Sequence, residues 1–137
     1  SLAESMPALK DIPLTYQPGT QWVYSISVDV QGYMVERLSG MSFGEFLQTR
    51  LFEPLSMVDT GFYVQPANHS RLSRQYAPNS DGTLRRTDDR GGIAAFDFKS
   101  APRFESGGGG LTSTVADYMQ FVQMHLNKGE LNGVRIL

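Results

Sequence analysis

The stretch from Thr60 to Ser106 constrains the fold most. Prolines at 66, 78 and 102, the turn-like run Asn79-Ser80-Asp81-Gly82 and the pair Gly91-Gly92 leave only brief apolar clusters between them. Regular structure is therefore pushed to the flanks. The middle reads as a long irregular excursion carrying one short helix near Ser70 to Tyr76. A loop of that length inside a compact domain is uncommon, and such loops are generally functional or lie beneath another part of the protein.

Helices are placed on the flanks by period and by caps. From Ile26, the residues Val30, Met34 and Leu38 recur at four-residue spacing, Val28 and Val35 widen the stripe, and Gly40 supplies a stop, which predicts a buried helix. Ser42-Phe43-Gly44-Glu45 has capping-box spacing, with Phe43, Phe46, Leu47 and Leu51 marking one face of a short helix that Pro54 limits. Thr114-Val115-Ala116-Asp117 repeats the box with aspartate in the second role. Val115, Tyr118, Met119, Val122 and Leu126 continue a stripe that Asn127-Lys128-Gly129 closes. Leu2, Met6 and Leu9 mark a weaker helix at the start, with Pro7 in a first turn. The last eight residues read as a turn leading into a strand. The fold class expected is a mainly α fragment with long loops and one short hairpin or terminal strand, residues 1–137 forming a single partial domain.

Composition removes several function classes. A chain of 137 residues can bury a core without staples, and a formal charge of -2 argues against generic nucleic-acid binding. Arg71, Arg74, Arg85, Arg86, Arg90 and Arg103 gather in the middle, but Asp81, Asp88, Asp89 and Asp97 offset them, so a solvated or ion-paired surface is expected. With no cysteine, disulfides and thiolate metal sites are excluded, and no apolar run approaches a membrane span. His69 and His125 lie far apart and have no H-E-x-x-H context, so no metal and no cofactor is assigned. Gly107 to Gly110 is not followed by Gly-Lys-Ser/Thr and does not satisfy G-x-G-x-x-G. It reads as a flexible or closely packed approach to the helix capped at Thr114. Asn68-His69-Ser70 matches a glycosylation sequon, a pattern common by chance.

Tyr24 is the candidate for chemistry. Pro18-Gly19 sets a turn, Trp22 follows, and Tyr24 arrives just before the apolar periodic stretch, where a phenol can face a cleft. Without further context such a tyrosine is usually a packing residue. Several segments supply that context: Pro18-Gly19-Thr20 through Tyr24-Ser25; Gly40 with Phe46-Leu47; the run Phe52-Glu53-Pro54-Leu55-Ser56-Met57-Val58-Asp59-Thr60-Gly61-Phe62; Gly107 through Thr114; and Leu131 through Leu137. Taken together they resemble the group of serine β-lactamases, penicillin-binding proteins and class C-like esterases. The resemblance covers nearly all of this chain and about a third of a family member, the mostly helical region of the β-lactamase/transpeptidase-like α+β fold without most of its sheet.

The resemblance implies a mechanism. A serine in an S-x-x-K motif attacks an ester or lactam carbonyl, the lysine assists, and a tyrosine at the position of Tyr24 exchanges protons with nucleophile and leaving group. A phenol with a pKa near ~10 is a poor base at neutral pH, so nearby cationic charge is required. Lys10, Lys99 and Lys128 are preceded three places earlier by Pro7, Phe96 and His125, so no S-x-x-K occurs in these residues, nor does a K-T-G or H-x-G strand. The β-lactamase Y-x-N pattern has Ile26 in its third place, and isoleucine cannot hydrogen-bond substrate. The resemblance therefore leans toward esterases. The chain reads as an excised, catalytically incomplete piece of a hydrolase whose partners are a small ester or β-lactam and its own flanking segments. The other expectations are a stand-alone binding module and a truncated domain that self-associates through uncovered apolar faces.

Overall fold

A computed structural model describes residues 1–87 and 97–137, so the expected turn at Gly91-Gly92 and the charges of Asp88, Asp89 and Arg90 fall outside the described residues. The chain begins with α1 (Leu2–Ser5) and a 3-10 segment (Met6–Asp11), in whose first turn Pro7 sits. The Ser1 hydroxyl accepts from the Glu4 N–H at 3.3 Å and the terminal ammonium donates to Glu4 at 2.8 Å, closing a capping box. This short element buries Leu2 against Gly32 of α2 (Ser27–Ser39).

α2 ends before Gly40, as its period predicts, but its apolar stripe is not buried. Leu38 is 85% exposed, and Ile26, Val28 and Met34 are each about half exposed. The face turned inward is the small one around Gly32, which lets Leu2, Phe43 and the backbone of Gly107 approach closely. The packing surface is thus chosen by the small residue, and the larger stripe is left without a cover among the described residues.

α3 (Phe43–Leu47) is capped by the Ser42 hydroxyl, which accepts from the Glu45 N–H at 3.2 Å. Two more of its free N–H groups donate to carboxylates from elsewhere, Phe43 to Glu36 at 3.2 Å and Gly44 to Glu105 at 2.6 Å. The helix then widens into a π turn (Gln48–Phe52) immediately before Pro54, whose ring clashes with a regular helical turn and which has no N–H to donate.

The core lies on this side of the molecule. Phe52, Leu55 and Met57 pack with Met124 of α4 (Val115–Leu126) and Leu131, and Leu47, Leu51, Phe121 and Ile136 cover them. α4 also departs from its predicted stripe. Met124 and Asp117 face inward, whereas Val115, Tyr118, Met119 and Leu126 are from about half to more than four-fifths exposed. The helix is apolar on both sides, and period alone favours the side with more apolar residues.

The chain closes in a hairpin, with β3 (Glu130–Leu131) paired to β4 (Val134–Arg135) across Asn132-Gly133, both left-handed at φ 50° and 81°. The terminal strand therefore finds its partner locally. In the middle, the short helix expected near Ser70 to Tyr76 is replaced. A 3-10 turn occupies Pro66–Arg71, and β1 (Tyr76–Pro78) pairs with β2 (Leu84–Arg86). Pro66 starts the helical turn early, and Asp81 stabilises the hairpin loop by accepting from the Thr83 N–H at 2.9 Å and the Thr83 hydroxyl at 2.6 Å. No helix among the described residues is long and apolar enough to cross a membrane.

Candidate active site

Tyr24 lies on the extended segment between the turn at Pro18-Gly19-Thr20 and the first turn of α2. The turn is closed by the Thr20 N–H and hydroxyl, which both donate to the Gln17 carbonyl, at 3.2 and 2.7 Å. From there the chain runs out into solvent, leaving Trp22 84% and Tyr24 82% exposed, their ring centroids 6.2 Å apart. Helix α2 resumes order at Ile26, whose carbonyl accepts from the Val30 N–H at 3.1 Å. Tyr24 thus sits at the start of a helix, as its sequence context predicts.

What anchors this segment comes from far along the chain. Asp29, in the first turn of α2, accepts from the Ser106 hydroxyl at 2.6 Å and from the Gly108 N–H at 3.4 Å, and the Ser106 hydroxyl accepts from the same N–H at 3.0 Å. Gly107 lies so close to α2 that a Cβ added to it would stand 2.2 Å from the Val28 carbonyl oxygen. The glycine run is therefore closely packed against α2 at Gly107, and the Gly108 N–H is taken by the Asp29 carboxylate.

A second polar cluster ties the long excursion to α4. The Thr114 hydroxyl accepts from the Asp117 N–H at 3.2 Å, as the capping spacing predicts. The Asp117 carboxylate does not complete the box, however. It turns toward the excursion and accepts from the Asp59 N–H at 2.7 Å and from the Thr60 hydroxyl at 2.8 Å. Since the single Thr60 proton points at Asp117, the Ser113 hydroxyl, 2.8 Å away, donates to Thr60. Asp59 in turn takes a two-pronged pair from Arg71, both contacts 2.6 Å. The hydrogen bonds from Arg71 and then its charge hold the Asp59 carboxyl below its ordinary range, and the same contact raises Arg71.

This cluster borders a cleft of about 410 Å³, with Asn68, Arg71, Gln75, Ser113 and Thr114 among its lining, and a second of about 450 Å³ lies beside Glu45, Thr60 and Glu105. Tyr24 lines neither cleft. His69 donates from Nε2 to the Val64 carbonyl at 2.9 Å, and His125 stands edge-on to Phe121, so they occupy a loop turn and the last helix. Asn68 of the sequon contacts Asp59 at 3.5 Å. Among the described residues no three His, Cys, Asp or Glu side chains come together. Sequence reasoning missed Asp29, Glu105 and the turned carboxylate of Asp117. Their signal was weak, two first-turn acids and one loop acid whose partners lie 57 to 79 positions away.

The sequence model of the family described as Beta-lactamase matches residues 2–137, and the chain belongs to that family. It is similar to Protein Rv1367c of Mycobacterium tuberculosis, 35% identical over 132 residues that cover 96% of this chain and 32% of that protein. It is similar also to the lovastatin esterase of Penicillium rubens, 34% identical over 87% of this chain and 30% of the esterase. Among solved structures, the LovD6 mutant of the simvastatin synthase of Aspergillus terreus superposes with a TM-score of 0.72 at 28% identity, over 93% of this chain and 30% of the synthase. The chain spans about a third of the length of the curated relatives it matches. Its architecture is the mostly helical part of a β-lactamase-like fold, with two short hairpins and no larger sheet among the described residues.

Proposed function

We propose that this chain, as one partial domain, supplies the proton-exchanging tyrosine of a serine hydrolase that cleaves small carboxylic esters through an acyl-serine intermediate. The observation that carries the reading is the exposed Tyr24 just before α2, in a run that resembles the family's tyrosine segment and lies within the residues 2–137 that match the family. In the complete hydrolase the serine and lysine of S-x-x-K and the K-T-G or H-x-G strand come from other segments. The serine Oγ attacks the ester carbonyl while the Tyr24 phenolate, stabilised by the lysine, takes its proton. The proton passes to the leaving alcohol as the tetrahedral intermediate collapses, and water then releases the acid by the same route. Ester substrates are favoured over lactams because Ile26 cannot offer the amide of Y-x-N.

Taken alone, the 137 residues are inactive in this reading. Exposure to a fluorophosphonate and, separately, to a penicillin, followed by intact-mass measurement, should give no stoichiometric serine adduct. An adduct would place the nucleophile inside these residues and sink the proposal. In the complete hydrolase, Tyr24→Phe should slow acylation by roughly 10²–10⁴-fold, the range for removing a general base. Unchanged turnover would remove Tyr24 from the mechanism, and penicillin turnover without ester turnover would reverse the substrate preference.

A second reading rests on Trp22, Leu38 and Val115, each more than four-fifths exposed. Such faces bury themselves against a second copy when nothing else covers them. Sedimentation of the 137-residue chain over a range of concentrations should then show association, and a strictly monomeric chain would exclude it.

A further inference from the structure

We infer that Asp29, Ser106 and Gly107 form a clamp that positions Tyr24, fixing the first turn of α2 so that the phenol is presented in one orientation; the inference rests on the reading of Tyr24 as the proton-exchanging group. The segment that bears Tyr24 has little to hold it. Its two large rings are more than four-fifths exposed, with centroids 6.2 Å apart. Ile26, which stands at the cap of α2, makes no side-chain cap bond. Order must therefore reach Tyr24 from α2, whose first turn begins three residues later.

That turn is locked from outside. The Asp29 carboxylate accepts from the Ser106 hydroxyl and the Gly108 N–H, and the Ser106 hydroxyl also accepts from that N–H. The three groups close a small ring of hydrogen bonds that joins residues 77 and 79 positions apart. Gly107 completes the clamp by contact, since even one added carbon would overlap the Val28 carbonyl. A carbonyl pushed by such an overlap cannot move alone, because it belongs to the turn that sets where Ile26, Ser25 and Tyr24 leave the helix. A displacement of about 1 Å at a reacting group can cost on the order of 10²-fold in rate, which is the scale on which such a device matters.

The test is a double-mutant cycle in the complete hydrolase with p-nitrophenyl butyrate as substrate. Asp29→Ala should lower the acylation rate on the order of tenfold with KM little changed, and Asp29→Asn, whose amide oxygen can still accept both bonds, should restore most of it. In a Tyr24→Phe background, Asp29→Ala should cause no further loss, because a positioning residue that acts through the phenol has nothing left to position. Equal losses in both backgrounds, or no loss with Asp29→Ala, would overturn the clamp. Should Asp29→Ala fail to fold, Ser106→Ala removes one hydroxyl without changing charge and carries the same prediction.

Failure of the underlying reading is distinguishable. If Tyr24→Phe itself leaves turnover unchanged, Tyr24 is not the proton-exchanging group and the catalytic half of the inference falls with it. The clamp is then judged on the 137-residue chain, where Trp22 is the single tryptophan and its time-resolved fluorescence anisotropy reports the mobility of the segment. Asp29→Ala and Gly107→Ala should both speed its local depolarisation at unchanged far-UV circular dichroism. An unchanged decay would show that nothing at Asp29 or Gly107 holds the segment.

Discussion

The two sides of this molecule use the same kind of sequence signal and reach opposite outcomes. Around Met124 the helices α3 and α4, the turn through Leu55 and Met57 and the C-terminal hairpin converge, and each element is tied to another by buried side chains or by Asp117. Around α2 a stripe at least as regular as that of α4 stands in solvent, together with Ile12, Leu14, Trp22 and Tyr24. Periodicity announces that a face is built to be covered, but it does not say by what. On the first side the face bearing Phe121 and Met124 is covered within the 137 residues, although the stripe of Val115, Tyr118, Met119 and Leu126 is not. On the second the described residues supply no cover for it, and the chain spans about a third of the length of its curated relatives.

That contrast is broken most severely on the packed side. Met124 is 1% exposed and sits at the centre of the cluster, so Met124→Ala should cost about 2–5 kcal/mol from lost transfer energy and the cavity left behind. Urea unfolding of the purified chain measures it, and a loss below about 1 kcal/mol would mean that this side is not a core. Asp117→Ala comes next. It strands the buried-side donors of Asp59 and Thr60, which should cost about 1–3 kcal/mol. Asp117→Asn retains one acceptor oxygen and should recover part of that loss in the same assay.

How much of this was legible in the sequence follows from how local each signal is. The caps at Ser42 and Thr114, the stop at Gly40 and the Asn132-Gly133 turn were readable because each signal acts within a few residues of itself, by a side-chain cap or by left-handed backbone. The position of Tyr24 at the start of α2 was readable for the same reason. The inward faces of α2 and α4 were not, since Gly32 and Asp117 face inward by virtue of partners such as Gly107 and Thr60 that only the fold brings near. The hairpin of β1 and β2 was missed because three-residue strands carry almost no period, and one loop carboxylate, Asp81, holds its turn. Asp29 gave no signal, because nothing within a helical turn of it distinguishes it from any first-turn acid.

The exposed side should respond weakly to the same kind of substitution. Leu38 is 85% exposed, so Leu38→Gln should change the stability of the 137-residue chain by no more than about 0.5 kcal/mol, the usual range for surface positions. In a full-length protein of this family the same variant should behave like a core substitution. Equal, small effects in both settings would mean that the stripe stays uncovered there too.

The smallest effect is expected from acid. Asp59 is held below the ordinary aspartate range first by the hydrogen bonds from Arg71 and then by its charge. A carboxyl whose folded pKa is depressed contributes stability that is fully present above its unfolded value and is lost as pH falls through the folded value. Stability of the chain should therefore be flat above the ordinary aspartate range with respect to this group and decline below it. Asp81 and Asp97, lowered by hydrogen bonds from Thr83 and Ser100, act in the same direction, so the decline has several contributors. Asp59→Asn isolates one of them, since the amide cannot titrate and keeps only part of the Arg71 pair. The variant should be less stable than the parent near neutral pH, and the gap should close as the solution is acidified below the ordinary aspartate range. Urea midpoints across that range measure it, and a gap that stays constant with pH would show that Arg71 and Asp59 contribute through geometry alone.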